Sequence, residues 1–481
     1  MKKIILLTVI ISMLVTSCEN WLDVNTSPNN STSAEPNDLF AYAAVSYGAN
    51  RVGGDNYMPI GFMNQNLATG GSYGWGYAED RYDISPYSIG NTWKLYFSSA
   101  GNNLQLAIRS AEEKEPAANN MAAQAKILMA ELIYECTMIY GDIPYSQAWN
   151  SDYAYPVFDA QQDILNGLID DIDEALAQMD PSDTRVISEG DFFYHGDLDK
   201  WVKFANSIKL RIFMVMYDQD PSVASDIAAL LSQDLISSSD DICMFPFYDD
   251  PGNENIKYKL FDKYANGTNT WVFANSNVFD FMDAYDDPRI PVFFDEGPEA
   301  AEGEFHAVPT ATEADATSST ISMYLNRADA PELIFSYSEM LFFLAEIYTR
   351  GIGVSVDLAT AAQYFEAGVE ASMQFYEVDQ DDIDNFIAND LPDISTMTAA
   401  EARYEIHVQQ WIDLMDRSLD AWVQSRRSGD EGSEVPNLQL PSGAPAGGLA
   451  RRWVYPDDEL TGNINAPTDL PHIYDKQWFD K

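Results

Sequence analysis

The stretch “SEMLFFLAEIYTRG”, Ser338–Gly351, repeats apolar residues every three or four positions and stops at a glycine. Its apolar positions share one stripe of a helix: Met340, Leu341, Leu344, Ile347 and Tyr348. An α-helix with this spacing can turn a continuous apolar face toward a core. Gly351 is the residue type that most readily ends a helix. The stretch therefore predicts a buried amphipathic helix.

A second apolar stripe follows directly and would belong to a partner helix. It consists of Leu358, Ala362, Phe365, Val369 and Met373. The segments “AEIYTRG” and “AAQYFEAGVEA” have small residues and rings where tetratricopeptide-type helices pack into each other. Residues 121–139 and 160–179 form a looser version of the same pair. Two ordinary helical hairpins would show the same periodicity, so both interpretations stay open.

The rest of the chain predicts a mostly α protein in which helices support long irregular segments. Thr398 and Glu401 form a capping box, which predicts a fifth helix running as far as Trp422. Alternating strand patterns are scarce. Residues 241–330 and 430–481 are rich in Gly, Pro, Asn and Asp. We expect a single domain over 36–481 with a loop-rich insertion at about 241–330.

The N-terminus has the pattern of a bacterial lipoprotein signal. Lys2 and Lys3 precede an apolar run of about a dozen residues, which is shorter than the ~20 needed to span a bilayer. The run ends in Leu14–Cys18, which resembles the lipobox that directs lipidation of a cysteine. We expect a signal peptide over 1–17, a lipid anchor on Cys18 and a polar tether over 18–35.

The charge of the chain excludes nucleic acid as a ligand. Of 481 residues, 27 are Lys or Arg and 76 are Asp or Glu, which gives a net charge of −49. Phosphate backbones need basic surface, so this chain repels them. Cys136 and Cys243 are the two cysteines beyond the lipobox, and no disulfide is predicted between them.

Two segments hold most of the candidate ligand-binding residues. The segment “GGSYGWGYAEDRY”, Gly70–Tyr82, combines four rings with four glycines, and “YKLFDKYANGTNTW”, Tyr258–Trp271, combines rings with asparagines. Rings flanked by polar groups suit sugars, whose C–H faces stack while their hydroxyls form hydrogen bonds. The predicted ligand-binding residues are Tyr73, Trp75, Tyr77, Asp80, Arg81, Tyr82, Tyr258, Tyr264, Asn266, Asn269 and Trp271. The alternative is that these rings pack loops onto the helical scaffold.

Catalytic motifs are weak in this sequence. The pentapeptide Gly70–Gly74 matches a nucleophile elbow around Ser72, but glycines follow it where a helix is required. No catalytic residue, metal site or cofactor is predicted. A glycosidase needs only two placed carboxylates, which the sequence does not single out. A membrane-tethered glycoside hydrolase therefore stays open as an alternative.

Several stretches spread along the whole chain carry a resemblance to known proteins. They include “LDVNTSPNN” at 22–30, “TWKLYFSSAGNN” at 92–103, “YGDIPYSQAW” at 140–149, “APELIFSYSEMLFFLAEIYTRG” at 330–351 and “RRWVYPDDEL” at 451–460. These stretches resemble the SusD/RagB family of outer-membrane nutrient-binding lipoproteins of Bacteroidetes. The resemblance implies an all-α, SusD-like fold with tetratricopeptide-like helix pairs that support a variable region. It also implies a surface subunit that binds oligosaccharides, or less often peptides, over a SusC-like TonB-dependent transporter. It assigns no individual binding residue and no covalent chemistry.

Overall fold

The computed structural model describes residues 34–53, 56–71, 76–84, 90–267, 269–427, 435–436, 438–445 and 447–481. Pro36–Lys481 forms one compact unit. The predicted signal peptide, Cys18 and most of the predicted tether lie outside the described residues. Within the described ranges, every helix is too short or too polar to cross a bilayer.

Helices dominate the described chain, as predicted. They are α1 Pro36–Gly53, α2 Met58–Met63, α3 Gly90–Lys94, α4 Gly101–Glu112, α5 Asn119–Tyr140, α6 Gln161–Gln178, α7 Leu198–Met216, α8 Ala224–Leu230, α9 Ile256–Ala265, α10 Ser276–Ala284, α11 Ile290–Phe293, α12 Tyr337–Arg350, α13 Leu358–Phe375, α14 Gln380–Asn389, α15 Ala399–Asp413, α16 Ser418–Arg427 and α17 Asp457–Gly462. A π-helical turn over Leu95–Ala100 joins α3 to α4.

Short strands form three small antiparallel sheets. The strands are β1 Leu67–Thr69, β2 Ile143–Pro144, β3 Phe158–Asp159, β4 Cys243–Phe245, β5 Val272–Ala274, β6 Phe294–Asp295, β7 Thr320–Ile321 and β8 Glu332–Phe335. The largest sheet has the order β1-β5-β7-β6, while β2 pairs with β3 and β4 with β8. Cys136 and Cys243 are buried free thiols.

The two predicted helix pairs are present, since α12 packs along α13 and α5 along α6. The Ser336 hydroxyl caps α12 by accepting from the Glu339 amide, and Gly351 ends it in the left-handed region at φ +69°. Gly368 lets α13 approach closely, because a Cβ there would lie 2.9 Å from the Phe342 ring. Small residues at such crossings are what the repeat-like pattern predicted.

The predicted fifth helix is two helices. The capping box at Thr398 and Glu401 opens α15 as expected. However, α15 ends at Asp413, and the chain turns before α16 begins at Ser418. The apolar stripe continued across this turn because both helices face buried interior, so periodicity alone did not reveal the break.

A buried network of charged side chains links α1, α5, α7, α12 and α16. Arg211 donates to Glu131 at 2.6 Å and to Glu339 at 2.8 Å. Arg51 pairs with Asp420 at 2.6 Å and also contacts Glu135. Burial raises the pKa of Glu131 to about 7 even though the Arg211 guanidinium opposes the shift. Removing one partner from such a network leaves an uncompensated buried charge, so the network holds these helices in register.

Candidate functional site

The antiparallel pairing of β1 with β5 brings the two aromatic segments together. Thr69 lies opposite Val272, so the first segment leaves the sheet at Gly70 at the same end where Trp271 enters it. Gly70 sits against the Phe273 ring, and a Cβ added there would lie 2.9 Å from that ring. About 190 residues separate the two segments in sequence, so only the sheet register makes them neighbours.

A third segment, residues 308–313, joins them. Asn275 donates to the Leu67 carbonyl oxygen at 3.0 Å and to the Thr310 hydroxyl at 3.1 Å. The Asp80 carboxylate accepts from the Ala311 amide at 3.2 Å, while Arg81 donates to the Ala311 carbonyl oxygen at 3.1 Å. Sequence patterns did not indicate this contribution, because “PTATE” at 309–313 has neither rings nor a motif.

Gly76 lets the second half of the first aromatic segment pack closely against the Phe62 ring. Its φ is +80°, and a Cβ there would lie 2.1 Å from the Phe62 ring. Both the backbone conformation and the close approach require glycine. The short 3₁₀ turn Glu79–Arg81 follows, and Tyr82 closes it at φ +59°. The described part of this segment is therefore packed onto α2 in a defined conformation.

The second aromatic segment is mainly a helix, which corrects its assignment as a loop. Tyr258 lies within α9, as does Tyr264, of whose side chain nothing is described. The Asn255 side chain caps the start of α9 by accepting from the Lys257 amide, and Asn266 ends α9 in the left-handed region at φ +56°. Tyrosine and phenylalanine are only modest helix formers, so packing and the two caps decide this conformation. Phe261 on α9 meets Trp271 with ring centroids 5.9 Å apart.

The structure sorts the predicted residues by exposure. Tyr73 and Trp75 lie outside the described residues. Partial exposure is shared by Tyr77, Arg81, Tyr258 and Trp271, while Asn266 is exposed. The Arg81 guanidinium covers the Tyr77 ring at 4.0 Å from its centroid. Thr312 and Glu313 are exposed beside Gly71, which adds polar groups that the sequence did not single out.

Three of the predicted residues are buried, and their side chains form hydrogen bonds with other parts of the chain. The side-chain amide of Asn269 is hydrogen-bonded to the protein backbone. It donates to the Val272 and Ile321 carbonyl oxygens at 2.8 Å each and accepts from the Val272 amide. The Tyr82 hydroxyl accepts from Gln65, and burial raises its pKa to about 12. Burial likewise raises the pKa of Asp80 to about 6, although the hydrogen bond from the Ala311 amide and the charge of Arg81 both lower it. These side chains position the surface rather than project from it.

The described residues present partly exposed rings and polar groups on segments that the helical scaffold supports. Partly exposed rings stand beside exposed hydroxyl, carboxamide and carboxylate groups, held by a short sheet. Among the described residues, no cluster of three potential metal ligands is present. Segments carried on a rigid scaffold are common places for recognition, so these groups are candidates for ligand contact.

Comparisons with known proteins assign the family. The SusD-like family model described as “Starch-binding associating with outer membrane” matches residues 28–456. This chain belongs to that family. No curated protein matches.

Solved structures share the fold over nearly the whole chain. A protein titled chitin-binding protein is 25% identical, with a TM-score of 0.77 over 93% of this chain and 100% of that one. A chitin-binding SusD homologue from Flavobacterium johnsoniae is 19% identical, with a TM-score of 0.76 over 93% and 98% of the two chains. A SusD/RagB family protein from Bacteroides thetaiotaomicron is 19% identical, with a TM-score of 0.77 over 93% and 99%. The fold is therefore mostly α and SusD-like, as the sequence predicted.

Proposed function

We propose that this protein is a lipid-anchored, cell-surface member of its family that binds oligosaccharides without covalent chemistry. It would deliver them to a SusC-like TonB-dependent transporter in the outer membrane. The observation that carries the proposal is the β1–β5 pairing, which sets the two aromatic segments side by side. The family description names starch binding at the outer membrane, and two neighbours are titled chitin-binding, which supports a glycan as the ligand class.

The proposed contacts follow from exposure. Tyr77 and Trp271, which are partly exposed, would stack on sugar faces, while Asn266 and Arg81 would bind hydroxyls. Tyr73 and Trp75 lie outside the described residues, and we include them because they belong to the same ring-rich segment of the sequence. Asp80, Tyr82 and Asn269 would act by holding the segments in place, because their polar groups already bind the chain. Tyr258 and Tyr264 on α9 would extend the aromatic surface. Stacking and neutral hydrogen bonds make such binding insensitive to salt.

Affinity electrophoresis of the purified full-length protein in mild detergent tests the proposal. Gels would contain soluble starch, glycol chitin or xylan, and the parent would run beside Trp75→Ala, Trp271→Ala and Tyr42→Ala. Tyr42 is a matched control, since 57% of its surface is exposed on α1. We expect one glycan to retard the parent and Tyr42→Ala but not the two tryptophan variants. Retardation of all four proteins alike would place the glycan site elsewhere on the chain.

Two other outcomes would replace this function. Failure of every glycan, together with salt-sensitive binding of cationic peptides, would identify a peptide-capturing member of the family, which the net charge of −49 would favour. Release of reducing ends from a glycan, lost when one carboxylate is replaced, would identify a glycoside hydrolase.

A further inference from the structure

A separate cleft of about 290 Å³ opens between the α3–α4 region, the loop joining β2 to β3, and α17. Its walls include Trp93, Phe97, Trp149, Tyr155, Glu459 and Asn463. None of these residues belongs to the segments at 70–82, 258–271 or 308–313. The volume is close to the lower end of the range for small-molecule sites.

One wall of the cleft is a fixed aromatic surface. The Trp93 and Phe97 rings lie 4.5 Å apart between centroids, and Phe97 stacks on Trp149 at 5.6 Å with 24° between the planes. The Trp149 indole N–H donates to the Phe97 carbonyl oxygen at 2.8 Å, which fixes the orientation of the ring. Gly101 makes room for it, since a Cβ there would lie 2.6 Å from the indole. Phe97 and Trp149 remain partly exposed.

Trp149 holds this position in a strained backbone conformation. Its φ is +55°, in the left-handed region that bulky L-residues rarely adopt. Strain of this kind persists where surrounding contacts impose it, and it is concentrated at functional sites. Packing alone is a poor reason to hold a partly exposed tryptophan in this strained conformation beside a cleft.

The cleft lining also includes polar groups. The Asn463 amide donates to the Pro156 carbonyl oxygen at 2.8 Å and to the Glu459 carboxylate at 2.9 Å, which fixes the cleft rim to α17. A carboxylate can accept about four hydrogen bonds, so Glu459 keeps acceptor capacity for a ligand. Tyr155 stands at the mouth with 46% of its surface exposed. A cleft lined by both aromatic faces and a carboxylate suits a pyranose ring, whose C–H groups stack and whose hydroxyls donate.

We propose that this cleft is a second glycan-binding site, which takes one pyranose residue of a neutral oligosaccharide between Trp149 and Glu459. The inference rests on the proposed function, because it assumes that a glycan is the ligand of the chain. It adds a site remote in sequence from the aromatic segments and built from different elements. Two sites on one protein raise avidity for a polymeric glycan that reaches both.

Equilibrium dialysis of the full-length protein in detergent counts the sites. The probes are radiolabelled maltotriose, chitotriose and cellotriose, which are short enough to discourage bridging. Tyr155→Ala and Glu459→Gln change side chains that are at least partly exposed at the cleft, so both variants should keep the parent fold. Tyr153→Ala is the matched aromatic control, with 46% of its surface exposed and no place in the cleft lining. Asp458→Asn, at an exposed neighbouring carboxylate, is the matched acidic control.

We expect a probe to bind the parent and both controls at two sites. Tyr155→Ala and Glu459→Gln should each weaken one site by roughly tenfold or more. In a Trp271→Ala background, adding Tyr155→Ala should weaken the one remaining site by the same factor. A single site in the parent, lost in Trp271→Ala and unchanged in both cleft variants, would overturn the second site and leave the proposed function standing. Absence of binding by all three probes would overturn both.

Discussion

The Asp80 carboxylate accepts a hydrogen bond from the Ala311 amide at 3.2 Å across 231 positions of sequence. Arg81 reinforces this link, since it donates to the Ala311 carbonyl oxygen and pairs with Asp80 at 3.0 Å. The contact joins the first aromatic segment to the segment at 308–313. It makes the geometry of the candidate site depend on one buried carboxylate.

Replacing Asp80 by asparagine should remove a pH dependence of stability. Burial raises the pKa of Asp80 from 3.8 to about 6 in the folded protein. Between these values the folded chain holds a proton that the unfolded chain has lost, so this group's contribution to stability falls as pH rises from 4 to 6. The loss is complete above pH 6 and amounts to at most about 3 kcal/mol. Thermal unfolding of parent and Asp80→Asn between pH 4 and 7.5 measures it.

The difference between the two proteins isolates Asp80, because other buried carboxylates titrate equally in both. We expect the stability of the parent relative to Asp80→Asn to decrease with rising pH. Asp152→Asn, at an exposed position, should track the parent at every pH. Parallel curves for the parent and Asp80→Asn would show that Asp80 titrates normally in the fold.

Substituting Gly76 by alanine should disturb the first aromatic segment while the scaffold stays folded. The new Cβ would combine a strained φ of +80° with a clash against the Phe62 ring. Gly303→Ala is the control for strain alone, since its φ is +82° but open space surrounds it. We expect glycan retardation to be lost in Gly76→Ala and kept in Gly303→Ala, with helical circular dichroism unchanged in both. Equal retardation in the two variants would argue that the segment adapts or does not contact the ligand.

Truncating Arg211 should be severely destabilising. Arg211→Met strips Glu131 of its buried partner and leaves Glu339 paired with Arg417 alone, and breaking a buried ion pair in this way costs about 3–5 kcal/mol. The control Lys94→Met removes a largely exposed cation that lies 3.9 Å from Asp458 and should change stability by less than about 1 kcal/mol. Denaturant unfolding of the full-length protein compares the two. Similar midpoints for the two variants would mean that Glu131 and Glu339 take up protons when Arg211 is removed, so that no buried charge is left without a partner.

Local patterns were sufficient where local physics decides the structure. The stripe at 338–351, the glycine that ends it and the capping box at Thr398 each predicted an observed helix feature. The prediction erred at α9, where caps and packing turned an apparent loop into a helix. It erred again at 414–417, where one apolar stripe ran across two helices. In both cases tertiary packing outweighed a weak local preference.

The candidate site could be predicted only in part. Sequence identified two ring-rich segments, and the register of β1 against β5 made them neighbours. It did not identify the segment at 308–313 or distinguish a buried Asn269 from an exposed Asn266. Sequence patterns also did not identify the aromatic cleft around Trp149, because its lining comes from three separate ranges, 93–97, 144–156 and 459–463.

By itself, the sequence determined the helical scaffold and the charge, because periodicity, capping and composition act over a few neighbouring residues or over the whole chain. The family was indicated separately, by the resemblance of stretches spread along the chain. Only the tertiary structure decided which rings are exposed and which polar groups are already paired. Those properties depend on contacts between segments as much as 370 residues apart, such as the 2.7 Å hydrogen bond from Gln65 to the Gln439 carbonyl oxygen. No local pattern encodes a partner at that separation, since burial and pairing arise only when the chain has folded.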